Sequence, residues 1–387
     1  MGSDDTSSVS YALCYDYETE VASLRRIMER SQKTQWNVSD VEWDRELAQD
    51  SYGRILQWHG ALRSEYVAKL PPKKKEELAR QFVAFDFSQI LHGEQAAMML
   101  SGQLINCVED IDAKIYAATQ AKDEARHVEA CKKLLHRIGP IYDCAKQLRF
   151  CIDQLVSCQL WPKQVLGLQL FLEARALISF RQHLLFVDDP IFRQVVGSIE
   201  LDESQHVAFG MQYLTRGVDV LDAPGREALI EYGMWLDENI WRLVLPSEYR
   251  AVFEECNLEY DEFERTYNHS SFLSPSAVMN SASAKSMDMM YNQFHRWFYS
   301  ALQRVGLTEV LERRMGRALS AIELADLKNT DYSALPWVQA DVMAPDPEAI
   351  RATVKKLSPA KPVKAKKTKS KKPAPAPKGG KRRVRVG

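Results

Sequence analysis

Glu94 is followed thirty residues later by Glu124-Ala125-Arg126-His127, and Glu173 is followed thirty residues later by Glu203-Ser204-Gln205-His206. An Asp, Asp123 or Asp202, stands directly before the Glu of each Glu-x-x-His. On a helix, residues three apart lie one turn from each other on one face, so each Glu-x-x-His aims a carboxylate and an imidazole at one point. A single copy means little, because chance supplies it in a chain with this much charge. Two copies with the same offset from a preceding Glu and the same leading Asp read as one metal site written twice.

Burial points the same way. Glu173 lies in the stretch from Val165 to Phe180, whose only other charge is Arg175. A carboxylate among such neighbours costs on the order of several kcal/mol, or takes up a proton, unless a cation meets it. Arg175, two positions on, points away from Glu173 on a helix. Glu94 is flanked in the same manner by Ile90-Leu91 and by Ala96 to Leu100. Four carboxylates and two neutral imidazoles balance two divalent cations to zero net charge. Oxygen donors with imidazole suit iron or manganese, whereas structural zinc favours thiolates. Two iron ions are expected, and the same donors accommodate manganese in one or both positions.

Helical signals run the length of the chain, with no period-2 strand runs. Residues 1–70 read as an N-terminal helical wrap bearing Trp36, Trp43 and Trp58. Residues 71–220 read as the four-helix core of a di-metal carboxylate bundle, an all-α, ferritin-like arrangement in which Glu, Glu-x-x-His, Glu and Glu-x-x-His come from successive helices. Pro71-Pro72 marks the start of the Glu94 helix, Gly139-Pro140 the end of the Glu124 helix, and Pro162 the opening of the Glu173 helix. Asp189 and Pro190 read as the N-cap and first turn of the Glu203 helix. Residues 221–332 predict additional packed helices, in two regions from about Pro224 to Leu245 and from about Ala284 to Asp326. Residues 333–387 read as a linker and a disordered tail.

The formal net charge of −1 conceals an asymmetry. From Lys355 to Gly387 there are 14 Lys and Arg and no acid, which leaves 37 basic against 52 acidic residues elsewhere. So few large apolar residues do not fold alone. A tail of this kind either solubilises the chain or contacts an acidic partner protein, nucleic acid or a neighbouring subunit. The seven cysteines form no C-x-x-C pair, and Cys144, Cys151 and Cys158, seven apart, read as one buried helical stripe. No run of 18 apolar residues and no signal peptide is seen, so a cytoplasmic protein with no membrane span is expected.

Ile199-Glu200-Leu201-Asp202-Glu203-Ser204-Gln205-His206-Val207-Ala208-Phe209-Gly210, with Gly93-Glu94 and Asp123-Glu124-Ala125-Arg126-His127, resembles the hydroxylase subunit of bacterial multicomponent monooxygenases, the methane and toluene monooxygenase group. The similarity spans roughly residues 85–215. That family's Asp-Glu-x-Arg-His pattern is matched in full by the first motif, while Gln205 replaces Arg in the second. The resemblance implies that Glu94, Glu124, His127, Glu173, Glu203 and His206 are the metal ligands and the catalytic centre. It implies that Asp123 and Asp202 orient the imidazoles, with Arg126 and Cys131 close behind. The family often has a Thr four residues after the third-helix Glu, linked to proton delivery; here Leu177 stands in that place, so either proton delivery or the reaction differs.

Two related groups set contrasts. The small subunit of ribonucleotide reductase places its radical Tyr four residues after the first motif's His, and this chain has Cys131 there and Gly210 after His206, which argues against a tyrosyl radical. The arylamine N-oxygenases of the superfamily add a seventh His four residues before the last motif's Glu, where this chain has Ile199. Iron storage needs little beyond the four helices, and this chain is far longer.

The resulting expectation is a non-haem di-iron oxygenase that activates O2 and hydroxylates or otherwise oxidises a small organic substrate. Phe87, Leu91, Leu170 and Phe180 around the site suggest an apolar or aromatic one. With no G-x-G-x-x-G fingerprint and no iron–sulfur cysteine pattern, electrons must come from a separate reductase or ferredoxin. A homodimer is expected. The alternatives are a di-iron oxidase, desaturase or N-oxygenase of the same fold, and a non-catalytic, metal-stabilised helical scaffold that binds an acidic partner through its basic tail.

Overall fold

A computed structural model describes residues 11–18, 21–47, 50–57, 59, 62, 64–239, 246–266 and 289–328. They all fall within one compact unit, Met1–Pro345. The expected linker and basic tail and Trp58 lie outside the described residues. Among the described residues the regular structure is helical and contains no strand, as the all-α reading requires. No helix among them is long and apolar enough to cross a membrane.

In chain order the helices are α1 (Ala22–Lys33), α2 (Glu65–Ala68), α3 (Pro72–Cys107), α4 (Ile111–Ile138), α5 (Lys146–Val156), α6 (Trp161–Gly167), α7 (Ala174–Phe186), α8 (Pro190–Val220), α9 (Ala223–Asn239), α10 (Arg250–Glu255), α11 (Tyr260–Thr266), α12 (Met289–Arg304), α13 (Glu309–Met315) and α14 (Ala321–Lys328). A π-helical segment, Leu168–Glu173, joins α6 to α7, so the third core helix is continuous but carries a wide turn that ends on Glu173. The four core helices are α3, α4, the α6–π–α7 composite and α8. The 36 residues of α3 rise roughly 54 Å at 1.5 Å per residue, and the short link to α4 forces the two to pack side by side in opposite directions.

The helix ends follow their local chemistry. Pro72 opens α3, where its missing N–H has no intrahelical partner to lose. Asp189 caps α8 by accepting from the Phe192 N–H at 2.8 Å, with Pro190 behind it. Gly139 ends α4 before Pro140. The cysteine stripe is corrected: α5 spans only Lys146–Val156, so Cys151 is a buried helical residue while Cys144 and Cys158 lie beyond its two ends and are half-buried. The helical region expected from about Ala284 to Asp326 holds α12, α13 and α14, with Gly306 and Gly316 at positive φ between them.

The apolar core is divided. One cluster holds Tyr116, Phe171, Phe209, Trp297 and Phe298; the other holds Phe82, Phe87, Leu134, Phe180, Phe192 and Phe253. On α4 the first takes Ala113–Ala117 and the second Ala130–Ile138; on α8 the second ends at Ile199 and the first begins at Val207. What lies between on each helix is polar and buried: Gln120, Asp123, Glu124 and His127, then Asp202, Glu203 and His206. Buried polar groups survive only when they find partners, so this layer must satisfy itself or bind something. The N-terminal segment covers one side of the layer. α1 packs on α4 and α8, and Trp36 and Trp43 pack against the second cluster.

Candidate metal centre

Two overlapping groups of ligand atoms form at the polar layer, each with all its atoms within 4.8 Å of one another: Glu94, Glu124, His127 and Glu203, and then Glu124, Glu173, Glu203 and His206. All six residues singled out by the repeat therefore meet, one or two from each core helix. Glu124 and Glu203 belong to both groups. Glu94 with His127 and Glu173 with His206 serve one each, so the arrangement has the symmetry of two sites sharing a central pair of carboxylates.

Both imidazoles point Nδ1 into the cluster. His127 Nδ1 lies 3.2 Å from Glu94 Oε2, 3.2 Å from Glu124 Oε2 and 3.0 Å from Glu203 Oε1. His206 Nδ1 lies 3.1 Å from Glu124 Oε1 and 3.3 Å from Glu203 Oε2. The outward nitrogens face the aspartates of the opposite motif: His127 Nε2 is 3.1 Å from Asp202 Oδ2, and His206 Nε2 is 3.6 Å from Asp123 Oδ2. A carboxylate behind an imidazole fixes its tautomer and ring plane.

Arg126 ties the two halves together, donating to Asp123 Oδ1 and Asp202 Oδ2 at 2.7 Å each. One guanidinium serves both aspartates, which explains why the second motif can carry Gln205: that buried side chain turns to the end of α1 and donates to Thr34 Oγ1. Trp36 donates its indole N–H to Asp202 Oδ2 at 2.8 Å, beneath the Arg126 guanidinium 5.0 Å from its ring. Gln35 donates to Asp123. Cys131 is wholly buried beside the site, and burial, then the Glu94 charge, pushes its thiol well above the ordinary range.

The electrostatics test whether cations fit. Burial, then the charge of Glu203, raises Glu94 and Glu173 well above the ordinary carboxylate range. Burial alone would depress both imidazoles, yet the surrounding carboxylates raise them well above their ordinary value: Asp202 and Glu124 at His127, Glu124 and Glu203 at His206. Burial also opposes ionisation of Glu124, but His206 and His127 outweigh it and hold that carboxyl below its usual range. Glu94, Glu173, His127 and His206 are thus all shifted toward holding a proton, which brings positive charge to the same centre. Glu173 Oε2 is buried without a hydrogen-bond partner in the protein. Six oxygen and nitrogen donors, spare carboxylate oxygens and a deficit of positive charge fit two divalent metal ions.

Phe87, Leu170 and Phe180 are wholly buried and Leu91 partly so, but Leu170 belongs to one apolar cluster and the others to the opposite one. Leu177 and Ile199 are buried and apolar, so neither adds a donor. Gly210 lies against the π-helical segment, where a Cβ would come within 2.3 Å of the Gln169 Cβ, so a Tyr has no room there. Two polar residues escaped notice, Gln120 and Gln169, both wholly buried. A signal for them existed: each stands four residues, one turn, before a ligand carboxylate, Glu124 or Glu173. Trp36 and Gln35 left no such signal, because they come from outside the repeat.

A family model described as P-aminobenzoate N-oxygenase AurF matches residues 17–236, a span that starts before α1, holds all four core helices and closes within α9. A search of curated proteins found no match.

Proposed function

Because this chain belongs to the P-aminobenzoate N-oxygenase AurF family and is thus a di-iron oxygenase, an oxidoreductase that acts with O2, we propose that it oxygenates the nitrogen of an organic amine at the Glu4His2 cluster. The expected alternative of an N-oxygenase is better supported than hydroxylation of an apolar substrate. The observation that carries the reading is the meeting of all six repeat residues in two groups with two shared carboxylates, inside the span matched by the family. Ile199 marks a departure: the reaction runs on six ligands, without the additional His of the arylamine N-oxygenases.

Bound iron would supply O2 activation and two-electron redox chemistry. The chain's own residues prepare for that. Glu124 and Glu203, common to both ligand groups, would hold and neutralise both ions, while Glu94 with His127 and Glu173 with His206 would complete one each. Asp202 and Asp123 hold the imidazoles with Nδ1 inward. The flanking aromatic groups, Phe87 against Phe192 on one side and Tyr116 stacked on Phe209 on the other, keep water from the layer. Electrons come from a separate reductase or ferredoxin.

The test loads purified protein anaerobically with Fe(II), adds a chemical reductant and p-aminobenzoate as probe amine, and admits 18O2. Mass spectrometry should find the label on nitrogen. Label on a ring carbon would move the assignment to hydroxylation. O2 uptake no faster than with a Glu124→Ala, Glu203→Ala protein would favour the non-catalytic scaffold.

A further inference from the structure

Gln120 Nε2 donates to Glu173 Oε1 at 2.6 Å and to Glu124 Oε1 at 3.1 Å, so both of its N–H groups are committed to carboxylates. The reverse amide orientation would set an oxygen against two carboxylate oxygens, so the chemistry decides the assignment. Gln169 Nε2 in turn donates to Gln120 Oε1 at 3.1 Å. Two primary amides deep in a helical core carry a desolvation cost that only good hydrogen bonds offset. Here these bonds lead, one after the other, to Glu173.

We propose that Gln120, itself fixed by Gln169, is a positioning residue that occupies Oε1 of Glu173 and so makes this carboxylate present only Oε2 to the metal pair. Glu173 Oε2 is the buried oxygen left without a hydrogen-bond partner in the protein, and it is the one free to bind. Of the two carboxylates that serve one position each, only Glu173 is restrained in this way, and the longer bond to Glu124 falls on a carboxylate that both positions share. The positions one turn before Glu94 and Glu203 are Ile90 and Ile199, so no equivalent amide stands there. The two metal positions are therefore inequivalent: the one on Glu173 and His206 has a carboxylate held to one oxygen, and the one on Glu94 and His127 does not.

The π-helical segment and Gly210 supply the mechanical backing. Gln169 lies in that segment, and α8 approaches it so closely at Gly210 that its Cβ faces bare backbone. Gln169 cannot withdraw toward α8, which keeps its amide on Gln120. Glu173 is the residue on which the segment ends, so the wide turn that places the ligand also places the group that holds it.

This inference rests on the metal-centre reading, and the test separates the two. Wild-type, Gln120→Met and Gln169→Met proteins, near in volume to the parent, are titrated anaerobically with Co(II); bound metal is counted and the visible ligand-field absorption recorded. Gln120→Met should still bind two ions, with affinity for one of them falling about 10–100-fold, as is typical when a group behind a ligand is removed. Its absorption should weaken as Glu173 turns both oxygens to the metal and raises the coordination number. Gln169→Met should shift both readouts in the same direction by less, and it serves alone if Gln120→Met does not fold. Spectra and affinities of both variants equal to wild type, or a loss of thermal stability in the metal-free protein with no spectral change, would overturn the proposal. Wild-type protein that takes up no Co(II) would overturn the metal-centre reading along with it.

Discussion

His127 and Asp202 belong to different copies of the repeated motif, yet His127 Nε2 lies 3.1 Å from Asp202 Oδ2. The reciprocal pair, His206 and Asp123, is looser at 3.6 Å. Each Asp precedes its own Glu by one residue, which rotates it about 100° from that Glu on the helix, toward the neighbouring core helix and the other copy's imidazole. The two halves are thereby cross-braced, and the Arg126 guanidinium closes the brace by bonding both aspartates.

Asp202→Asn should weaken metal binding about 10–100-fold, and more than Asp123→Asn does. Its imidazole partner is closer, at 3.1 Å against 3.6 Å. Anaerobic Fe(II) titration followed by metal analysis measures both. Equal, negligible effects would show that the aspartates do not act on metal binding through the imidazoles.

Metal stoichiometry should follow the sharing pattern. Wild-type protein should hold two Fe(II), Glu94→Ala should lose one selectively, and Glu124→Ala or Glu203→Ala should impair both, because those two carboxylates belong to both groups. A Glu203→Ala protein that retained two ions with unchanged spectra would contradict the shared-pair geometry.

Removal of the α8 cap should cost stability. Asp189 is wholly buried and accepts from Phe192 N–H, so Asp189→Ala should destabilise the fold by about 0.5–2 kcal/mol, read as a lower denaturant midpoint. The metal count should stay at two, since the cap lies several turns from Glu203.

Acid sensitivity should trace partly to α12. His295 is buried against Asp237 and Arg314, and burial, then the Arg314 charge, lowers it to about 3. Its folded value lies below the unfolded one of about 6.5, so the neutral ring contributes fully above that pH and the contribution is lost as pH falls toward 3. Asp237, raised by burial to about 6, acts with the opposite sign: its contribution is fullest below about 4 and lost as pH rises through 6. Unfolding followed by Trp297 fluorescence should show a flatter acid limb in His295→Phe than in wild type. An unchanged slope would remove His295 from the account.

Much of this protein was legible along the chain. The interval of thirty residues, the paired Asp-Glu starts and the Pro and Gly punctuation are local or periodic, and helical geometry turns such patterns into faces without knowledge of the partner. The all-α bundle and the meeting of Glu94, Glu124, His127, Glu173, Glu203 and His206 follow from that. The cysteine stripe failed because seven-residue spacing implies one face only if the helix continues, and α5 is too short to reach Cys144 or Cys158. Tertiary structure alone decided the rest. Which Asp braces which His depends on how α4 and α8 are rotated toward each other. The π-helical turn before Glu173 depends on how closely Gly210 lets α8 approach, and Trp36 reaches Asp202 only because α1 lies across both helices. These are contacts between residues far apart in the chain, set by packing and by the need of buried polar atoms to find partners. No period in the sequence encodes them.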